Sequence, residues 1–127
     1  MLSSTDLEAF DYYNMFPEQT ESSNPMKDYS QWVEDKVLTR GQTRLVENTL
    51  GLVGEAGEVA EKIKKMLRDD SRYSSSDIIK ELGDVVFYAT ALANYYGGDL
   101  GVVMAMNIKK LDDRELRGVL KGSGDNR

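Results

Sequence analysis

The chain has 127 residues, a length that suits a single domain built on one hydrophobic core. It carries 22 acidic and 16 basic residues, a formal net charge of -6, so it lacks the basic surface expected of a general nucleic-acid binder. It contains no cysteine and no histidine, which excludes disulfides, thiolate metal sites, histidine zinc sites and a histidine general base. Proton chemistry in this chain must therefore use Asp, Glu, Lys, Tyr or metal-bound water.

Three regions follow one another along the chain. Residues 1–27 are interpreted as an N-terminal extension, in which residues 6–16 favour a short aromatic-rich helix and residues 17–25 a polar loop. Residues 28–118 are expected to form an all-α domain, and residues 119–127 a flexible tail. The chain starts with polar and acidic residues and has no apolar run near ~18 residues, so we expect a cytoplasmic protein without a membrane segment.

Four helices are predicted in the domain. The first runs from about residue 28 or 30 to 38, and the second from about 43 to 67 with apolar residues at steps of three and four. The third begins at a serine cap among residues 74–76 and ends at Gly97-Gly98. The fourth is capped by Asp99 and runs from Leu100 to about Gly118. This order predicts an all-α fold like a four-helix bundle.

Two acidic pairs are the strongest chemical signal. Each pair is spaced i, i+3 beside an apolar stripe, so its members share one helix face. If the two helices pack together, four carboxylates converge, and their repulsion and desolvation would be relieved by a divalent cation. Oxygen-only ligands favour magnesium or manganese over zinc. Any one of these side chains alone would more often be a solvated surface charge. The four are Glu55, Glu58, Glu81 and Asp84.

Basic and aromatic residues provide a second signal. Lys62 lies one turn after Glu58, while Asn107, Lys110 and Arg114 form one polar stripe on the last helix. Taken alone, Lys62 would pair with Glu58 and the stripe would be a solvated face. Near a metal-bound phosphate the same cations would neutralise charge.

Aromatic side chains allow two interpretations. Trp32 and the tyrosines, among them Tyr88 on the border of the third helix, can stack on a nucleobase or belong to the core.

The two acidic motifs, Gly54–Glu61 and Lys80–Val85, together resemble the MazG-like family of nucleoside triphosphate pyrophosphohydrolases. That family belongs to the all-α NTP pyrophosphatases, alongside dimeric dUTPases and phosphoribosyl-ATP pyrophosphatase. Its pattern is E-x-x-E followed, after a loop, by E-x-x-D. The segment 107–114 resembles the family's last helix, and the resemblance covers residues 28–114. Gly54 stands where many members carry a further glutamate.

The resemblance implies a four-helix-bundle-like core of MazG type that assembles through helix packing into a homo-oligomer, a dimer or tetramer. It implies Mg²⁺- or Mn²⁺-dependent cleavage of a (d)NTP between the α and β phosphates, giving (d)NMP and pyrophosphate for nucleotide-pool control. A purine deoxynucleotide such as dGTP is the favoured substrate. The implied roles are metal binding and catalysis for Glu55, Glu58, Glu81 and Asp84, phosphate binding for Lys62, Lys110 and Arg114, and base or sugar binding for Trp32, Asn107 and Tyr88.

Three alternatives compete with this interpretation. A di-iron helical bundle would add Glu-x-x-His motifs, which a chain without histidine cannot supply. A non-catalytic helical interaction module would bind metal weakly and would tolerate Glu58→Gln. A related dUTP or phosphoribosyl-ATP pyrophosphatase would share the metal site and differ in its base pocket.

Overall fold

The computed structural model describes residues 24–69 and 72–118. These residues form four helices and no strand, which confirms the predicted all-α fold and the order of its elements. The predicted helix at residues 6–16, most of the loop that follows it, and the tail at 119–127 lie outside the described residues. The helices are α1 (Pro25–Lys36), α2 (Gly41–Arg68), α3 (Ser75–Tyr95) and α4 (Leu100–Leu116).

The start of α1 differs from the prediction because of its cap. The helix begins at Pro25, three residues before the earliest predicted start. The Asn24 side chain accepts hydrogen bonds from the backbone N–H groups of Met26 and Lys27, at 3.1 and 3.3 Å. Proline at the first helical position loses no hydrogen bond there, so a residue that marks a loop elsewhere starts this helix.

The caps of α3 and α4 agree with the prediction. Ser74 and Asp77 form a capping box, in which the Ser74 hydroxyl accepts from Asp77 N at 3.1 Å and the Asp77 carboxylate accepts from Ser74 N at 2.8 Å. Gly97, with φ of 83°, ends the turn after α3 in a conformation that glycine adopts without strain. Asp99 then caps α4 by accepting from Val102 N at 2.8 Å.

The longest interface joins α2 and α3, which run antiparallel, while α1 packs against α3 and α4. The buried apolar core is small in the described chain and consists of Val33, Val37 and Ala91, with Tyr29 and Phe87 packed against it. Most contacts between helices in the described chain are therefore made by the pair α2–α3.

Large apolar side chains remain exposed on α2 and α4. Leu50 and Val53 are each 66% exposed, and Leu67, Met106 and Leu116 are more exposed still. Apolar surface of this extent is typical of a face that another chain covers. None of the helices in the described ranges is both long and apolar enough to cross a bilayer.

Candidate active site

Three carboxylates from two helices meet at the α2–α3 interface. Glu55 lies on α2, and Glu81 and Asp84 lie one turn apart on the same face of α3. Each offers one oxygen, and these oxygens all lie within 4.8 Å of one another. We call these three residues the carboxylate cluster. Its oxygen-only composition fits a hard divalent cation such as Mg²⁺.

The electrostatics of the cluster are unfavourable without a cation. Partial burial raises the pKa of Glu55, and the negative charges of Asp84, Glu81 and Glu58 raise it further. A carboxylate with a raised pKa is one whose charged form is disfavoured by its surroundings. A bound cation would reverse that penalty, so the donor set and its charge both suit a metal ion.

Glu58 lies at the border of this site. It is exposed, one turn after Glu55 on α2, and is outside the group of three whose oxygens approach within 4.8 Å. Its charge still acts on both Glu55 and Lys62. The structure therefore brings three of the four predicted carboxylates together and places the fourth beside them.

Lys62 bridges the two helices instead of pairing within its own. Its Nζ lies 2.8 Å from Oε1 of Glu81 and 5.2 Å from the centre of the Tyr73 ring. The hydrogen bond to Glu81 raises the pKa of Lys62. Glu81 is thus the partner of Lys62, where the sequence alone favoured Glu58, and the contact places a cation directly beside the carboxylate cluster.

A row of aromatic rings joins α1 to α3. Tyr29 stacks on Trp32 with ring centres 5.7 Å apart, Trp32 meets Phe87 edge-on at 6.0 Å, and Phe87 meets Tyr88 edge-on at 5.3 Å. Burial, and then the charge of Asp84, raise the pKa of Tyr29. The row contains both predicted base-binding aromatics, Trp32 and Tyr88.

Gly51 explains how Tyr88 fits between the helices. A Cβ at residue 51 would lie 2.6 Å from Cζ of the Tyr88 ring, so only glycine permits this approach. A glycine on a helix face leaves room for a ligand or a closely packed helix. At Gly51 the room is taken by a side chain of α3, while no described atom lies within 4 Å of a Cβ built at Gly54.

The predicted polar residues of α4 occupy a separate surface. Asn107 and Lys110 line a groove with Val103, Met104 and Met106. The groove shares no lining residue with the carboxylate cluster. Arg114, one turn beyond Lys110, is 3% exposed.

An ion pair between the buried Arg44 and the half-buried Glu34 was not predicted from the sequence. Both terminal nitrogens of Arg44 donate to the two oxygens of Glu34 at 2.7 Å, and Nη2 also donates to the Ala91 carbonyl at 3.3 Å. Arg44 is 7% exposed, and its guanidinium lowers the pKa of Glu34. The two partners lie on different helices, ten residues apart, so no local spacing indicated the pair.

Acidic residues that face each other across antiparallel helices, in an all-α fold, are typical of the all-α nucleotide pyrophosphatases. Residues 44–117, more than half of the chain, match the MazG nucleotide pyrophosphohydrolase domain. The chain therefore belongs to the MazG family, which confirms the resemblance seen in its motifs. Membership assigns it nucleotide pyrophosphohydrolase activity in general, within a family whose enzymes generally depend on divalent metal ions.

One relative is the "Gene 37 protein" of Mycobacterium phage L5. It is 49% identical over 83 residues, which cover 62% of this chain and 73% of the relative. No solved structure matches the chain.

Proposed function

We propose that this chain hydrolyses a (deoxy)nucleoside triphosphate between the α and β phosphates, giving the monophosphate and pyrophosphate, with Mg²⁺ or Mn²⁺ as cofactor. The observation that carries the proposal is the approach of Glu55, Glu81 and Asp84 within 4.8 Å in a MazG domain. The role that follows is control of a cytoplasmic nucleotide pool, and the first substrate to test is a purine deoxynucleotide such as dGTP.

The carboxylate cluster would hold the metal, with Glu58 as a fourth carboxylate at its border. A divalent ion bound there would neutralise phosphate charge and lower the pKa of a bound water. Burial, and then repulsion from the neighbouring carboxylates, raise the pKa of Glu55, which supports this assignment. Oxygen donors alone favour Mg²⁺ or Mn²⁺ over Zn²⁺.

The remaining side chains would bind the substrate and move a proton. Lys62 already lies beside the cluster through Glu81, where its charge would face the triphosphate. One of the four carboxylates would orient the attacking water and accept its proton. Lys110 and Arg114 are proposed to neutralise further phosphate charge, and Trp32, Tyr88 and Asn107 to contact base or sugar.

We also propose that the protein works as a homo-oligomer, a dimer or tetramer, without nucleic-acid or membrane partners. The support is the exposed apolar surface of α2 and α4, since only three apolar residues are buried in the described part of the chain and many large apolar side chains stay uncovered. The groove on α4 that holds Lys110 is part of that surface.

Product analysis with a panel of NTPs and dNTPs, with Mg²⁺ or Mn²⁺, tests the proposal. We expect equal amounts of monophosphate and pyrophosphate from one or two substrates, and none after chelation of the metal. Diphosphate and orthophosphate would contradict the proposed bond. The absence of turnover with every triphosphate would favour the non-catalytic interaction module or an unusual substrate such as phosphoribosyl-ATP.

A matched pair of variants separates the site from the rest of α2. Glu55→Gln removes a charge from the cluster, whereas Glu61→Gln removes one from a residue that pairs with Lys64 at 2.8 Å on the outer face. The proposal requires loss of turnover in the first variant and near-normal turnover in the second.

A further inference from the structure

Glu81 contacts a cation on one side and the other carboxylates of the cluster on the other. Its Oε1 lies 2.8 Å from the Lys62 ammonium, and the two side chains are 18% and 22% exposed. An oxygen of the same carboxylate lies within 4.8 Å of oxygens of Glu55 and Asp84. Lys62 therefore neutralises part of the charge that the carboxylate cluster gathers between α2 and α3.

Tyr73 lies against the same ammonium. The Lys62 Nζ is 5.2 Å from the centre of the Tyr73 ring, within the range of a cation–π contact. Tyr73 is half-buried and directly precedes Ser74, whose capping box with Asp77 fixes the first turn of α3. The ring is therefore attached to a part of the backbone that two hydrogen bonds hold in place.

These contacts choose between two carboxylates that Lys62 can reach. Glu58 lies four residues earlier on α2, the spacing and order that favour a Glu–Lys pair within one helix. The ammonium contacts Glu81 instead, where the Tyr73 ring adds a second attraction. Lysine has a flexible four-carbon stem, and fixing it in one position costs rotamer entropy. Tyr73 offsets part of that cost and favours the position beside Glu81.

A metal ion in the carboxylate cluster would meet this ammonium. The cluster fits a hard divalent cation by its oxygen donors alone. Such an ion and Lys62 would share the Glu81 carboxylate, and two cations on one carboxylate repel each other. Each therefore lowers the affinity of Glu81 for the other.

We propose that Lys62 competes with the metal ion for Glu81, and that Tyr73 is a positioning residue that favours Lys62 in this competition. Lys62 leaves Glu81 when a metal ion binds there, and its ammonium then binds the triphosphate. Metal and nucleotide binding therefore favour each other, and the coupling is reciprocal. The inference rests on the proposed pyrophosphohydrolase function, because that function supplies the metal and the triphosphate.

Binding of Mn²⁺ to the full-length protein without nucleotide tests the competition, with free Mn²⁺ measured by electron paramagnetic resonance. Lys62→Met keeps a long unbranched side chain and removes the charge. We expect this variant to bind Mn²⁺ about tenfold more tightly than the wild type, the scale of one hydrogen bond between charged groups. A lysine that only joins the helices would give the opposite sign, because its loss would separate the ligands. An unchanged or weaker affinity would overturn the proposal.

Lys64→Met is the matched control. Lys64 lies two residues later on α2, and its Nζ is also 2.8 Å from a carboxylate, that of Glu61 on the outer face. The variant removes the same charge, so its Mn²⁺ affinity measures the long-range effect of one cation. We expect little change. A gain as large as that of Lys62→Met would mean that net charge alone sets the affinity, which contradicts direct competition for Glu81.

Tyr73→Leu tests the positioning role without changing the charge. Loss of the ring weakens the hold of Glu81 on Lys62, and we expect Mn²⁺ to bind about two- to fivefold more tightly, the scale of an exposed cation–π contact. Tyr73→Phe keeps the ring and should have wild-type affinity. Wild-type affinity in Tyr73→Leu would overturn the role of Tyr73. This pair of variants still decides the proposal if Lys62→Met fails to fold.

Kinetics at saturating Mn²⁺ connect the competition to the substrate. Lys62→Met should raise the KM for the hydrolysed triphosphate, whereas Lys64→Met should leave it unchanged. The effects of Lys62→Met on metal and on nucleotide thus have opposite signs, and an unchanged KM would contradict transfer of the ammonium to the triphosphate. If no triphosphate is hydrolysed, the Mn²⁺ titrations still decide the competition, so failure of the hydrolase proposal is distinguishable from failure of this one.

Discussion

The two ends of the α2 segment from Arg44 to Glu55 lie in opposite charge environments. At one end, Glu34 and Arg44 form an ion pair with two hydrogen bonds of 2.7 Å, and the pKa of Glu34 is lowered. At the other, Glu55, Glu81 and Asp84 bring like charges within 4.8 Å, and the pKa of Glu55 is raised. Both clusters use α2, but the ion pair joins it to α1 and the carboxylate cluster joins it to α3.

The comparison shows which end is structural and which is available for a ligand. Opposite charges that are already paired stabilise the folded state and are not available to bind a substrate. Like charges held together make the folded state less stable, and a bound metal ion would offset that loss. Such clustering is typical of sites where function and stability compete. This contrast leads to four testable predictions.

The largest effect is expected from the carboxylate cluster. Asp84→Asn, and likewise Glu58→Gln, should lower kcat/KM by roughly a hundredfold or more, since even outer-shell partners of metal ligands commonly contribute 10–100-fold. The fold should survive, because these substitutions remove repulsion. Steady-state assays at saturating Mg²⁺ and thermal melts followed by circular dichroism measure both. Retained turnover in both variants would remove the four-carboxylate proposal.

The ion pair should show the reverse pattern. Glu34→Gln leaves the Arg44 guanidinium buried without a counter-charge, and we expect a loss of ~1–3 kcal/mol in the free energy of unfolding. The lower part of that range applies, because the Glu34 side chain is 38% exposed and partly screened by water. Turnover per folded molecule should change little. Asp35→Asn is the matched control on the same helix, since Asp35 contacts Gln31 instead of Arg44.

The pH dependence of this variant has a definite sign. The folded state lowers the pKa of Glu34, so its contribution to stability is present above the ordinary glutamate pKa of about 4.3. That contribution is lost as the pH falls through the lowered value. The difference in melting temperature between wild type and Glu34→Gln should therefore shrink in acid. A difference that stays constant below that range would contradict the ion pair.

A third test concerns the contact between the two ends. Gly51→Ala places a methyl group against the Tyr88 ring, at a cost of about 1–3 kcal/mol for overpacking, offset by up to ~1 kcal/mol of helix propensity. We expect a lower melting temperature. Gly54→Ala meets no described atom within 4 Å and should raise it. A fall with Gly54→Ala would instead indicate that another chain covers this face.

The smallest effect is a gain in stability. Because the folded state raises the pKa of Glu55, stability decreases as the pH rises from the ordinary glutamate pKa through the raised value. Without metal at neutral pH, Glu55→Gln should therefore melt slightly higher than the wild type, and the gain should vanish in acid. Added Mg²⁺ should stabilise the wild type by mass action and the variant less. An identical response of both proteins to Mg²⁺ would argue against a metal ligand at Glu55.

Local features of the chain were predicted well. The helix order and the caps at Ser74 and Asp99 depend on residues a few positions apart, so spacing alone indicated them. The start of α1 was placed too late, because Asn24 and Pro25 are equally typical of a loop. The position of each acidic pair on one helix face also follows from local spacing.

Contacts between side chains on different helices could not be predicted from local sequence. The partner of Lys62 and the pairing of Glu34 with Arg44 both depend on how α2 is aligned with α1 and α3. A shift of one residue in that alignment would rotate each side chain by about 100° away from its partner. The sequence contains no local signal for such a register.

The sequence by itself determined that the protein is all-α, that it carries two i, i+3 acidic pairs, and that histidine and cysteine chemistry is absent. These are properties of short segments and of composition. Only the tertiary structure decided that three of the four carboxylates meet, that Lys62 joins them through Glu81, and that Arg44 is neutralised at the opposite end. The reason is physical: charges interact according to the distance between their atoms, and packing of the helices sets that distance.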